Sequence, residues 1–347
     1  MKKIAYIELD THAELANNFF ELTKDLTGIS VDFYFSEKIY KFLKISDDRV
    51  FLTDYSELLE VLAKKKYDLV IIGTVHRHFI FYKAIAENFK TAILVHNLNF
   101  TRTSRLDLFK SIFEKDQQYR LKLFLKEGLL EAPQVYRKAK YLLGIDELMS
   151  KKNKLQFLPI YFNQFSSDSS EKDLIRVVIP GEVSQSRRDY NSFFEKLKDF
   201  KDLNQNYEIV FLGKAFGKEL ENLQSMTAFL PPFIHIQFFK EKIQQEVFDQ
   251  WMLKADVLYC PIQTKTEFFS TQEIYGNTKI SGNIGDAIKY CKPAVFPSTY
   301  TSDLEFIIEE RKDLQTQFED VKDDEFDFSH YSKRRVSARL KSLLESL

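Results

Sequence analysis

The sequence predicts a two-domain α/β protein. Apolar strand-like runs alternate with helix-patterned stretches, a polar serine-rich segment interrupts the series near its middle, and 347 residues is the length of about two ordinary domains. Alternation of this kind builds a doubly wound parallel sheet, in which ligands sit beyond the C-terminal ends of the strands.

Lys3 to Leu9 is the first apolar strand. Asp10-Thr11-His12 follows it, and then a helical pattern through Leu26 with Leu15, Phe19, Phe20 and Leu22 on one face. Val31 to Phe35 is a second strand and Ser56 to Lys65 a helix. Tyr67 to Gly73, YDLVIIG, is suited to burial in a parallel sheet, and Thr74-Val75-His76-Arg77-His78 leads from it into another helix. Thr91 to His96 repeats the theme and runs into Asn97, and Tyr141 to Ile145 and Leu155 to Tyr161 complete the half. His12, His76, His78, His96 and Asn97 therefore fall on one rim. His96 is the first candidate for a chemical role and His12 the second. A histidine at a strand end also serves as an ordinary hydrogen-bonded loop residue, and the sequence leaves both readings open.

Asn163 to Lys172, NQFSSDSSEK, is the best linker in the chain. It divides an N-terminal domain, 1–163, from a C-terminal domain, 164–330, with 331–347 a terminal helix packed on the body. The second series runs Ile175 to Pro180, a loop from Gly181 to Tyr190 containing Arg187 and Arg188, a helix from Asn191, then Tyr207 to Gly213, Ile234 to Phe238, a helix from Gln244 to Leu253, and Ala255 to Pro261. No G-x-G-x-x-G follows either domain's first strand, which argues against an ordinary nicotinamide-binding domain.

Glu273 to Pro297, EIYGNTKISGNIGDAIKYCKPAVFP, carries three of the chain's ten glycines, Gly276, Gly282 and Gly285. A helix is expected over Asn283 to Tyr290, stopped by Lys292-Pro293 before a buried strand. A glycine-bearing loop opening a helix aims backbone amides and a positive dipole end at a phosphate. A plain loop with a few glycines has the same pattern.

Lys and Arg, 50 together, nearly cancel 51 Asp and Glu, so no global basic field calls for nucleic acid. Cys260 and Cys291 are too few for a disulfide framework and lack metal-ligand spacing, and no Asp-x-Asp pair stands where it would hold a metal. The N-terminus reads as a first strand and not a leader, and no run approaches a membrane-spanning length, so a cytoplasmic protein is expected, with membrane contact at most peripheral. Residues 101–140 carry ten basic against five acidic side chains interleaved with Phe109, Phe113, Leu121, Phe124 and Leu125. That pattern fits an amphipathic surface against anionic lipid, or a solvated helix whose apolar side is in the core. Asp303 to Asp327 holds eleven acids and reads as a solvated helix and loop, and Val336, Leu340, Leu343 and Leu344 stripe a terminal helix.

IPGEVSQSRRDY after the first strand of the second half, VFLG at the second, and ADVLYCPIQ followed by EIYGNTKISGNIGDAIKYCKPAVFP resemble the GT-B glycosyltransferases, and most closely glycosyltransferase family 4. The resemblance implies two Rossmann-like domains facing across a cleft, with the acceptor on the first and a nucleotide-sugar donor on the second. It implies an enzyme that moves a sugar from a nucleoside-diphosphate donor to a glycan or lipid-linked acceptor in surface polysaccharide synthesis, with the donor as substrate and no cofactor. A GT-B nucleotide-sugar epimerase and a non-catalytic GT-B-like subunit are the alternatives. Asp286 falls where the family's ribose-binding acid stands, whereas Thr278 occupies the partner position and leaves Glu273 a displaced candidate. Arg187, Arg188, Lys279, Ser281 and Gly282 would then stabilise the leaving diphosphate, with Asn97, His96 and His12 near the transferred sugar or acceptor.

Overall fold

The computed structural model describes residues 1–166, 173–201 and 205–347. Most of the serine-rich linker, Ser167 to Lys172, lies outside the described residues. The chain divides into two compact units, one made of Met1–Ile160, Glu267–Ile280 and Lys333–Leu347, the other of Tyr161–Thr266 and Ser281–Ser332.

The first unit is built on a seven-stranded sheet: β1 (Lys2–Glu8), β2 (Ile29–Phe35), β3 (Val50–Leu52), β4 (Leu69–Ile72), β5 (Thr91–Leu94), β6 (Tyr141–Gly144) and β7 (Gln156–Phe157), in the order β3-β2-β1-β4-β5-β6-β7. Every pairing is parallel. Ile4, Ala5, Tyr6, Ile7 and all of β4 are buried, as continuous apolar runs in a sheet covered on both faces must be. The helix Glu37–Leu43 and β3 were not expected from the sequence. Ser36 caps that helix, accepting from the Ile39 amide at 3.4 Å, and β3 is a three-residue edge strand too short to show a period.

The second unit has a six-stranded parallel sheet in the order β10-β9-β8-β11-β14-β15. Its strands are β8 (Leu174–Pro180), β9 (Asn206–Lys214), β10 (Ile234–Phe239) and β11 (Val257–Tyr259), then β14 (Ala294–Phe296) and β15 (Ile307–Glu309) after the β12 (Lys265–Phe268) and β13 (Thr271–Ile274) pair. The expected helix spans Asn283–Tyr290, with Cys291 left-handed just past its end. The acidic region differs from the expectation of a solvated helix and loop. It supplies the edge strand β15 and a helix, Leu314–Asp323, whose Leu314, Phe318 and Val321, at i, i+4 and i+7, enter the core.

Each strand order reverses once, between β1 and β4 in the first unit and between β8 and β11 in the second. In doubly wound sheets that reversal opens a crevice at the C-terminal strand ends, because the flanking connections leave on opposite faces.

Two segments return to the first unit. The terminal helix Lys333–Ser346 buries Val336, Leu340 and Leu344, and its Lys333 pairs with Glu21 at 2.6 Å. The β12–β13 pair is joined by Phe269 and Ser270, both left-handed (φ 49 and 59). Phe269 is buried in the first unit's core against Phe100, at 5.3 Å between ring centroids. Residues 267–280, placed in the C-terminal domain by the sequence reading, thus belong to the first unit. No sequence periodicity marks a hairpin of two four-residue strands whose turn lacks the usual Asn-Gly or Gly.

Candidate functional site

At the first unit's reversal, β1 ends in Glu8, a carboxylate with no solvent exposure. Its Oε1 accepts from the amides of Asp10 and Thr11, both at 3.2 Å, and the Thr74 hydroxyl donates to its Oε2 at 2.7 Å. Burial pushes its pKa up to about 8, against the lowering effect of these bonds. Gly73 makes room for it, since a Cβ there would stand 2.5 Å from Glu8 Oε2 and 2.8 Å from the Tyr6 hydroxyl oxygen. Glu8 escapes a sequence reading centred on histidines, although an acid ending a buried parallel strand is a usable signal.

Three histidines from the same unit's strand-end loops converge. His12, left-handed at φ 55 ahead of the helix Ala13–Thr23, stacks on His96 at 3.9 Å and 8°, and His76 stands edge-on to His12 at 5.9 Å. Desolvation, and then the neighbouring imidazole, lower all three pKa values, His12 to about 3 and His76 and His96 to about 4. His96 Nε2 donates to the Gly73 carbonyl at 2.8 Å, which fixes the proton on Nε2 and leaves Nδ1 as the acceptor. His12 is exposed, with one ring face covered by His96. His78, on the same expected rim, packs instead on Tyr55 at 3.8 Å.

Asn97, Lys279, Thr278 and Glu273 lie in the first unit's side of the hairpin return. Asn97 Oδ1 accepts from the Asn99 amide at 3.2 Å, and its backbone bridges Lys279. Thr278 accepts from the Ile274 amide through its hydroxyl (2.8 Å) and from the Leu98 amide through its carbonyl (2.8 Å), so it ties the turn rather than replacing an acid. The Lys279 ammonium lies over the Tyr275 ring at 4.8 Å. Glu273 is 1% exposed, and burial raises its pKa against the lowering effect of the Thr278 hydroxyl, Lys279 and the Asn99 amide. The structure therefore divides the expected set, with Lys279 and Glu273 in the first unit and Ser281, Gly282 and Asp286 in the second.

At the second unit's reversal, Gly181 follows β8 at φ 101, a conformation that needs glycine. Arg188 folds back over it, donating from Nη2 to the Pro180 carbonyl (2.6 Å) and from Nη1 to the Glu182 carbonyl (2.9 Å). Arg188, expected to meet phosphate, is 9% exposed as a residue, and these two bonds brace the loop. Arg187 is the loop's exposed cation, paired with exposed Glu182 at 3.2 Å. The helix Asn283–Tyr290 begins beside the same strand end. Asn283 Nδ2 donates to the Pro180 carbonyl at 3.3 Å and to Asp286 Oδ2 at 3.0 Å, and Ser281, buried, lies behind the turn with its Oγ 3.4 Å from the Asn283 amide. Gly282, the N-cap, is exposed, and a Cβ there would meet nothing within 4 Å. The arrangement presents a helix N-terminus, open backbone and one exposed arginine at the crevice, the chemistry that receives a phosphate group. Among the described residues no group of three His, Cys, Asp or Glu could hold a metal ion.

No known protein family and no curated protein matches the chain. Solved structures share its fold. A UDP-GlcNAc 2-epimerase from Methanocaldococcus jannaschii superposes with a TM-score of 0.56 at 11% identity, over 99% of this chain and 100% of that one. An alpha-glucosyltransferase in complex with UDP and a mismatched 13-mer DNA gives 0.54 at 13%, over 97% and 94%. A UDP-GlcNAc 2-epimerase from Neisseria meningitidis bound to UDP-GlcNAc gives 0.51 at 12%, over the whole of both chains. The fold is thus the two-domain α/β fold of GT-B proteins, in agreement with the fold the sequence implies.

Proposed function

We propose that the chain is a glycosyltransferase that takes a nucleoside-diphosphate sugar and passes the sugar to a glycan or lipid-linked acceptor, as in surface polysaccharide synthesis. The observation that supports it is the open Gly282 at the start of a helix tied by Asn283 to the end of β8. As the glycosidic bond to the diphosphate breaks, negative charge collects on the leaving phosphate. Helix N-terminal amides and Arg187 would stabilise that charge more than they stabilise the ground state. Asp286, half-buried beside them, would accept from the ribose hydroxyls. Arg188 acts by shaping the loop.

In the first unit, the neutral and exposed His12 would take an acceptor hydroxyl's proton, and His96 would hold its ring in place. Two like imidazoles in contact favour the free-base form, which is the form a base needs.

A second reading, a nucleotide-sugar epimerase, is favoured by the proton-carrying groups at the first unit's reversal, Glu8 with its raised pKa and the cluster of His12, His76 and His96. Epimerisation needs proton transfer at carbon and no acceptor. Incubating the protein with UDP- and GDP-sugars, with and without glycan acceptors, separates the readings. Acceptor-dependent release of nucleoside diphosphate supports transfer, and a C2-inverted sugar from donor alone supports epimerisation. A chain that neither binds nor turns over any donor is a non-catalytic subunit, and both readings then fail.

A further inference from the structure

We infer that residues 105–126 form a docking surface for an anionic lipid bilayer. The segment folds as two short helices, Arg105–Ser111 and Gln117–Lys122, and a π-helical turn, Leu123–Glu127. Its inner face is satisfied, since Leu108, Ile112 and Leu123 lie in the first unit's core. Arg120 braces the fold from inside, donating to the Ser111 carbonyl at 2.8 Å and to Ser270 Oγ at 2.7 Å. The outer face nevertheless carries a second set of apolar side chains. Leu106 (71% exposed), Phe113 (64%) and Leu125 (69%) stand in solvent, as do Phe109, Tyr119 and Leu121, and Phe109 joins Phe113 and Phe124 through ring contacts at 5.6 and 5.8 Å. The core is already packed, so it does not account for them. A contiguous exposed apolar face rimmed by polar residues marks an interaction site.

The charge around the patch selects the partner. Lys110, Lys122 and Lys126 are exposed, and none forms an ion pair among the described residues. From Arg102 to Lys126 the sequence holds seven basic and three acidic side chains in a chain whose net charge is only −1. A second copy of this chain docking through the same patch would bring one net-positive surface against another of the same charge, because a two-fold contact uses the same patch on both copies. A bilayer with anionic headgroups takes both features at once, accepting the apolar tips at the acyl boundary and the ammonium groups among the phosphates. The inference does not depend on the reaction proposed above.

Vesicle co-sedimentation of the full chain tests it, with phosphatidylcholine alone and with phosphatidylcholine containing phosphatidylglycerol. Wild type is expected to sediment with the anionic vesicles, less so as salt rises, and not with the neutral ones. The triple variants Leu106→Ser/Phe113→Ser/Leu125→Ser and Lys110→Glu/Lys122→Glu/Lys126→Glu should each lose about tenfold or more of that binding. Their thermal melts should match wild type, because every changed side chain is exposed. Wild type that ignores anionic vesicles at low salt, or variants that bind as wild type does, overturns the proposal. So does a wild-type dimer that the serine variant dissociates, which would assign the patch to a second copy.

Discussion

His12 and His96 stack face to face, 3.9 Å between ring centroids and 8° from parallel, and His96 is held there by its bond to the Gly73 carbonyl. Two imidazolium rings could not keep that geometry. Their folded pKa values lie below the ordinary 6.5, so in acid the unfolded chain takes up protons that the folded chain refuses. The histidines' contribution to stability is full above about 6.5 and falls as pH drops toward 4. After discounting for partial exposure, His76 and His96 should each contribute roughly 1–2 kcal/mol to that loss. Urea unfolding between these pH values should show it, and His96→Phe, which keeps a stackable ring and removes a titrating group, should flatten the dependence. An unchanged slope would mean the stack does not govern acid stability.

Glu8 works with the opposite sign. Its folded pKa is about 8 against an ordinary 4.5, so its contribution is present below 4.5 and is lost as pH rises through 8. Glu8→Gln should match wild type near pH 4.5 and exceed it at pH 9, by about 5 kcal/mol for the full shift. Gly73→Ala, which places a Cβ against this carboxylate, should cost about 1–3 kcal/mol at either pH. Equal pH profiles for wild type and Glu8→Gln would contradict the buried protonated carboxyl.

Phe269 pairs a left-handed backbone with a buried ring, two demands that no single substitution meets together. Phe269→Ala loses the ring contacts with Phe100 and keeps the strain, at a cost of about 3 kcal/mol. Phe269→Gly loses the ring but relieves the backbone, and should be more stable than the alanine variant by about 1 kcal/mol. The order wild type, glycine, alanine in chemical denaturation is the expected result, and alanine above glycine would show that the turn carries no strain.

The alternating architecture was legible because buried parallel strands such as Leu69–Ile72 are short continuous apolar runs, and the helix Asn283–Tyr290 because Lys292-Pro293 stops it. The rim histidines were legible for the same reason, since strand ends in this fold point one way. What escaped depends on contacts distant in sequence. Nothing local shows that Phe269 enters a core built from residues 5–136, which moves Glu273 and Lys279 out of the second unit's set. Nor does the sequence show that Arg188, rather than Arg187, turns inward, because that choice is made by two carbonyls freed where Gly181 bends the chain.

The two loop arginines should separate cleanly. Arg188→Ala removes a buried charged donor to two carbonyls and should destabilise the second unit by roughly 1.5–3 kcal/mol. Arg187→Ala, at an exposed pair with Glu182, should leave stability within about 0.5 kcal/mol of wild type and weaken nucleoside-diphosphate binding. Thermal melts and a UDP or GDP titration of both variants check this. The reverse pattern would show that Arg187 braces the loop and Arg188 meets the ligand.

Gly282 gives the most direct test of donor binding. Its backbone is ordinary helical, φ −62 and ψ −24, and a side chain there meets nothing within 4 Å, so Gly282→Glu should fold as wild type does. The added carboxylate would occupy the space and oppose the charge assigned to the diphosphate. Calorimetric titration of UDP and GDP into wild type and Gly282→Glu, with a thermal melt of each, is the decisive measurement. The account predicts that wild type binds at least one of the two, and that the variant, melting within a degree or so, loses tenfold or more of that affinity. Equal binding by both proteins, or none by wild type, would contradict it.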